Sequence, residues 1–189
     1  RATGTQLKAA DLRHVLVFSD GLFVNGTKLA LGLKSCGVTV TGGLAGDAER
    51  FGTTWVMANE QAKSRRVVLV GLYGEVTVNN SHCSGWTEFG AERIVTKSVG
   101  NVVSEIDGQP ALALYKKYLG DLASSLPASG MRFPLNILTQ EGDHALIRTL
   151  LAVNEATQSL TFAGDVPQGS RCKLMRTNLD NLIESADIA

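Results

Sequence analysis

The chain has 189 residues, 44% of them hydrophobic, and 18 Lys and Arg balance 18 Asp and Glu. That composition suits a globular protein with a sizeable core and argues against disorder. Zero net charge leaves no basic field to hold nucleic acid, and no apolar run reaches the ~18 residues of a membrane-spanning helix.

Residues 1–13 are polar and read as a loop or frayed end. Residues 14–19 form a short apolar strand, and Asp20-Gly21 turns the chain. Asn25 predicts an N-cap for a helix to about Lys34, with Leu29 and Leu33 on one face and Gly37 as its stop. The β-branched run 38–41 is a buried strand that enters Gly42-Gly43-Leu44-Ala45-Gly46-Asp47. Residues 51–58 and 66–72 are rich in β-formers, and the polar connection between them predicts a hairpin. Residues 75–80 alternate as a further strand.

Residues 82–86 read as a loop, and 91–98 and 102–106 as strands joined across Gly100-Asn101. Pro110 fits the first turn of a helix over 110–119, with Ala111, Leu114, Tyr115 and Tyr118 on one face and Gly120 at its end. The Ser-, Pro- and Gly-bearing segment 123–131 is the best linker. Strands follow at 133–139, 144–154, 159–163 and 170–176. Residues 178–189 read as a helix capped by Asn178, with Leu179, Leu182, Ile183 and Ala186 on one side. Short turns between successive strands indicate an α+β protein, mainly antiparallel sheet with helices packed on it, a layered sandwich being one such arrangement. Residues 66–106 should run as sequential antiparallel strands. Without long βαβ alternation, a doubly wound nucleotide fold is disfavoured.

Chemistry is sparse. Cys36, Cys83 and Cys172 are odd in number and far apart, which suits reduced thiols in a cytoplasmic protein better than a disulfide framework or a zinc site. His14, His82 and His144 lie on different elements with no carboxylate cluster, so no metal site is expected. Gly42-Gly43-Leu44-Ala45-Gly46 lacks the Lys-Ser/Thr of a phosphate loop. Ser19-Asp20-Gly21 lacks the flanking glycines of a nucleophile elbow. Two readings of the glycine segment stand: a tight turn whose Asp47 caps its own backbone, or one wall of a small-molecule pocket with Asp47 on its exposed lip. Trp86, between glycine and polar residues, is either a satellite core residue or a stacking lid. Arg148, among apolar neighbours, either faces water or holds a ligand carboxylate.

Several segments together resemble the FIST domain, named for F-box and intracellular signal transduction. They are residues 40–47 with Phe51, Thr53 and Thr54; Gly85-Trp86, Gly90 and residues 95–97; and residues 103–111 with Tyr115, Leu119 and Gly120. Residues 133–135, Arg148 and 162–169 are similar to the opening of the C-terminal FIST domain. The resemblance implies the later part of an N-terminal FIST domain over 1–122, a linker over 123–131 and the beginning of a C-terminal FIST domain over 132–189. It further implies a sensory input domain that binds a small metabolite, amino acids among them, without catalysis or a cofactor, and that works with a signalling partner. If the chain stops inside a domain, a sheet edge or apolar helix face is left uncovered, and a homodimer through that surface is expected. The ligand-binding set on this reading is Gly42, Gly43, Gly46, Asp47, Trp86 and Arg148. A hydrolase or metal-dependent enzyme on an α+β scaffold and a protein-interaction domain are the alternatives. Titratable groups with perturbed pKa in a pocket would favour the enzyme. A concave apolar site without them favours the sensor.

Overall fold

The computed structural model describes residues 7, 10–138 and 146–188. Expectations outside them are the loop over 1–6, 8 and 9, the end of the 133–139 strand, the start of the 144–154 strand with His144, and the last residue of the final helix. The chain divides into two compact units, 1–81 and 82–189. The fold is α+β, with sheet strands outnumbering helices in both units.

In the first unit β1 (Leu12–Asp20) is the central strand of three. β2 (Thr39–Ala45) pairs with it in parallel and β3 (Val67–Tyr73) antiparallel. Parallel neighbours need a crossover, and α1 (Gly26–Leu33) supplies it. The Asn25 side chain accepts from the Lys28 amide at 3.1 Å, the N-cap its sequence predicts. Alternation along β1 sends Val15 and Val17 to one face, where they pack with Leu33 and Cys36 and with partly buried Leu29, Val40, Val67 and Leu69. The opposite face carries His14, Phe18 and Val70; Phe18 and Val70 remain 49% and 41% exposed.

Two expectations fail here for local reasons. Residues 51–58 do not form a hairpin with 66–72; only Val56 and Lys63 bridge. Several polar groups of that segment are used elsewhere: the amides of Phe51, Gly52 and Thr53 donate to Asp47, and the Thr54 hydroxyl accepts from Gly21. β3 pairs with β1 instead, where Leu69 stands opposite Val17. Residues 75–80 form no strand. Val76 is 44% exposed, so their alternation buries no face. The sequential antiparallel order therefore begins at β4 and does not include β3.

The second unit is one antiparallel sheet built on β4 (Thr87–Val99), β5 (Val102–Ile106), β6 (Gln109–Pro110), β7 (Leu135–Leu138), β8 (Leu146–Arg148), β9 (Leu150–Asn154), β10 (Ser159–Phe162) and β11 (Arg171–Arg176). The order across the sheet is β8-β7-β11-β4-β5-β10-β9, with β6 on β5. Its two outermost strands, β8 and β9, are consecutive and joined by Thr149 alone, so the sheet must curl to bring its ends together. α2 (Ala111–Leu119) lies against it, with Ala111, Leu112, Leu114, Tyr115 and Leu119 buried. They join Val95, Val103, Ile137, Leu150, Leu160 and Phe162 in one core. Residues 123–131 take in parts of two 3-10 segments, Gly120–Ser125 and Ala128–Arg132, and the turn at Leu126-Pro127 between them, within this unit. The Tyr115 hydroxyl reaches them through Gly130 O at 3.4 Å.

Phe162 is fully buried at the centre of that core. Phe162→Ala should cost about 3–5 kcal/mol of second-unit stability, the transfer loss plus the cavity. Denaturant unfolding checks it, and a cost below about 1 kcal/mol would contradict the packing.

α3 (Leu179–Ile188) ends the described chain, its Asn178 cap accepting from the Asn181 amide at 2.8 Å. Leu179, Leu182 and Ile183 are 71%, 36% and 61% exposed, so the apolar side read from the sequence is uncovered. No helix among the described residues is long and apolar enough to cross a membrane.

Candidate functional site

Two carboxylates shape the loops at the C-terminal ends of the parallel pair β1–β2. Asp20, fully buried, closes β1. Its Oδ1 accepts from the amides of Leu22 at 2.9 Å and Phe23 at 2.7 Å, and its Oδ2 from the Arg65 amide at 2.9 Å. Burial alone would raise its pKa. The amides of Phe23, Arg65 and Leu22, with the Thr54 hydroxyl, outweigh burial and leave it lowered. Asp47 follows β2 and is 8% exposed, so it does not stand on an exposed lip. Its carboxylate accepts from Phe51 at 3.1 Å, Gly52 at 2.7 Å and Thr53 at 3.2 Å. The Gly52 amide, against burial and with help from Thr53 and Phe51, holds its pKa below the usual value. Asp47 therefore clamps the backbone that leads into Trp55.

Between these clamps lies an open groove of about 520 Å³, within the volume range of small-molecule sites. Its base includes the backbone of residues 42–45, and its walls are Phe18, Trp55, Val56 and Met57. Gly42 and Gly43 play different parts. A Cβ on Gly42 would collide with the Val17 carbonyl and come within 2.8 Å of Val17 Cγ1, at a φ of +148°, so this glycine is required by the close approach of β1. A Cβ on Gly43 would meet nothing within 4 Å. Its missing side chain leaves room in the groove beside Phe18, its neighbour in register.

Trp55, Val56 and Met57 alternate out, in, out, at 56%, 7% and 71% exposure. Read as a strand, that apolar triplet had no reason to be singled out. The signal was available in the absence of any polar residue between Trp55 and Met57, which leaves both sides of the segment apolar. None of the lining residues is titratable.

The remaining candidates lie in the second unit. Trp86 precedes β4 and is half-buried; its indole Nε1 is buried without a hydrogen-bond partner among the described residues. Arg148 on β8 is also half-buried, and its Nε donates to the Asp165 carbonyl at 2.8 Å. Burial lowers its pKa, and the Asp165 charge partly offsets this. The groove's lining lies wholly in the first unit and includes Gly42 and Gly43, while Gly46 and Asp47 continue the chain from it.

A small cavity of about 20 Å³ in the second unit, enough for one water, is lined by Arg93, Tyr115, Tyr118 and Cys172 among others. Burial pushes the Cys172 thiol up to about 12, so it stays protonated at neutral pH. Arg93 pairs with Asp107 at 2.9 Å and donates to the Tyr118 hydroxyl. Asp107 also accepts from the Ile94 amide at 2.8 Å, which makes the Ile106-Asp107-Gly108 turn a tie between β4 and α2. Among the described residues no cluster of three or more His, Cys, Asp or Glu is placed to hold a metal ion.

With this geometry in view, the comparisons with known families are direct. The FIST N domain matches residues 1–109 and the FIST C domain residues 111–189. The chain belongs to the FIST family. FIST domains are regarded as sensory domains of signal transduction, which suits a groove free of titratable groups. The junction between the FIST N and FIST C matches, at 109–111, differs from the division into compact units at 81–82. No curated protein and no solved structure matches the chain.

Proposed function

We propose that the groove beside β2 is the sensing site of this FIST chain and that it binds a small metabolite, amino acids among the candidates, without making or breaking a bond. The observation that carries the reading is the lining: a concave, largely apolar wall of Phe18, Trp55 and Met57 over exposed strand backbone, with no titratable group, and with the Ser19 hydroxyl at its margin donating to the Asp20 carbonyl. Gly43 supplies the space, Gly42 lets β2 lie close to β1, and Gly46 and Asp47 fix the loop that carries Trp55. Trp86 and Arg148 remain proposed ligand contacts in the second unit. Signalling requires only that the ligand prefer one conformation over another. A cytoplasmic setting, a signalling partner and a homodimer belong to the same proposal; the uncovered apolar residues of α3 support an association surface.

The test is a thermal-shift screen of metabolites on the chain and on Trp55→Ala. A ligand at a hundred times its Kd should add about 2.7 kcal/mol of stability. Trp55→Ala should reduce that gain to about half, the result of losing about 1.5 kcal/mol of aromatic contact. An equal gain in both proteins would remove the groove from the proposal.

A further inference from the structure

We infer that the outward stripe of α3 is the docking surface for a basic amphipathic helix of a partner protein. That helix would belong to the signalling partner proposed above and would be met on α3, not in the groove, so loss of one reading leaves the other standing. α3 is held to the second unit by its polar side. Only glycine at position 85 lets it lie so close, because a Cβ there would come within 2.8 Å of the Asn181 carbonyl and 2.9 Å of the Ser185 hydroxyl. The Ser185 hydroxyl donates to the Asn181 carbonyl at 2.6 Å, and the Thr177 hydroxyl donates to the Gly85 carbonyl at 2.6 Å. Asn181 and Ser185 share one side of the helix at i and i+4. They are half-buried, while every other residue of α3 is exposed. A surface helix ordinarily turns its apolar stripe toward the core. α3 is reversed, and Leu179, Leu182, Ile183 and Ala186 face away from the contact with Gly85.

Spacing and charge choose the occupant. Leu179, Ile183 and Ala186 recur at the a and d spacing through which helices pair. Asp180 and Asp187 lie a heptad apart, each just after a seam residue, so both fall on the same flank of the stripe, with Glu184 beyond them. Charges on that flank of a helix pair select the partner. α3 contains no Lys or Arg. A second α3 on the stripe would bring like carboxylates together, which destabilises such a pair. An anionic membrane surface attracts basic helices and would repel this one. A partner helix with an aliphatic seam and lysine or arginine on its flanks covers the stripe and answers the acids at once.

The experiment uses the full chain at neutral pH and a pair of capped helical peptides with leucine at a and d, one carrying lysine and the other glutamate at e and g. Binding is read by fluorescence anisotropy of a label on the peptide and by amide hydrogen exchange over residues 179–188. The lysine peptide should bind and slow exchange in α3, and the glutamate peptide should bind about tenfold more weakly or not at all. Ile183→Ser, at an exposed position, should keep the folded circular dichroism spectrum and weaken the lysine peptide about tenfold or more, as expected for one large apolar side chain lost from the seam. Asp180→Asn combined with Asp187→Asn should weaken it about fivefold and flatten its salt dependence. Equal binding of the two peptides, lysine-peptide binding unmoved by Ile183→Ser, or no binding of the lysine peptide would overturn the inference. A dimer of the chain alone that is lost in Ile183→Ser would give the stripe to a second copy and overturn it too. So would co-sedimentation with phosphatidylcholine vesicles that the same variant abolishes, which would give the stripe to a lipid surface. In each of these cases a metabolite in the groove would still raise the melting temperature of the chain, so the sensing reading is decided separately.

Discussion

Asp20→Ala should lower the stability of the first unit by about 3–5 kcal/mol, enough to unfold it in mild denaturant. The substitution leaves the amides of Leu22, Phe23 and Arg65 without their acceptor, and all three converge on a carboxylate that has no exposure to water. Asp20→Asn should recover part of the loss, since it keeps one acceptor oxygen. The pH dependence has a definite sign. Asp20 titrates below its ordinary 3.8 in the folded protein. Its contribution is therefore complete above that ordinary value and fades as pH falls through the lower, folded one. Urea titrations at neutral pH and near pH 3 should show the gap between the parent and Asp20→Asn shrinking in acid. A gap that stays constant, or a loss near 1 kcal/mol for the alanine variant, would mean that the three amides find other acceptors.

Neighbouring glycines should respond very differently to the same methyl group. Gly42→Ala places a Cβ against the Val17 carbonyl at a backbone angle that side chains rarely adopt, with Val17 itself buried in the first-unit core. Neither the carbonyl nor the packed valine can yield cheaply. The expected loss is about 3 kcal/mol or more, from strain and overpacking together. Gly43→Ala enters open space and should stay within about 1 kcal/mol of the parent. Thermal unfolding of the pair decides the matter. Equal destabilisation would mean that β2 sits differently on β1. Two neutral variants would deny the close approach altogether.

Much of the first unit was legible in the sequence because its signals are local. Asn25 capped the helix it was expected to cap, and the β-branched runs became β1, β2 and β3. Pairing was less legible. Whether Val67 and Leu69 meet residues 51–58 or β1 depends on what Asp47 does with the intervening amides, and a carboxylate's choice of partners leaves no periodic trace. In the second unit, the antiparallel connection of β4 to β5 and the helix after Pro110 could be read directly. The curl of the sheet could not, because it depends on which strands end up outermost.

The site was half legible for a related reason. The glycine run drew notice as a turn or pocket wall after the strand 38–41; the structure instead carries β2 through Gly42 and Gly43, and both line the groove. Trp55 and Met57 were hidden within a segment that looks like ordinary strand. They are exposed in a segment whose preceding backbone Asp47 holds through the Gly52 amide. Asp47 itself drew notice for its position beside the glycines, and the structure gives it a task in shaping the loop.

The position of β4 and β5 has a consequence for inheritance. Both strands lie inside the stretch that matches the FIST N domain, yet they form the middle of the sheet completed by β7 to β11 from the FIST C stretch. Val95, Val103 and Ile106 from the first stretch share a core with Leu160, Phe162 and Cys172 from the second. A recombination event that parted the two sequence modules at their junction would bare that core and strip α2 of part of its cover. Within the pair the two modules are bound to travel together.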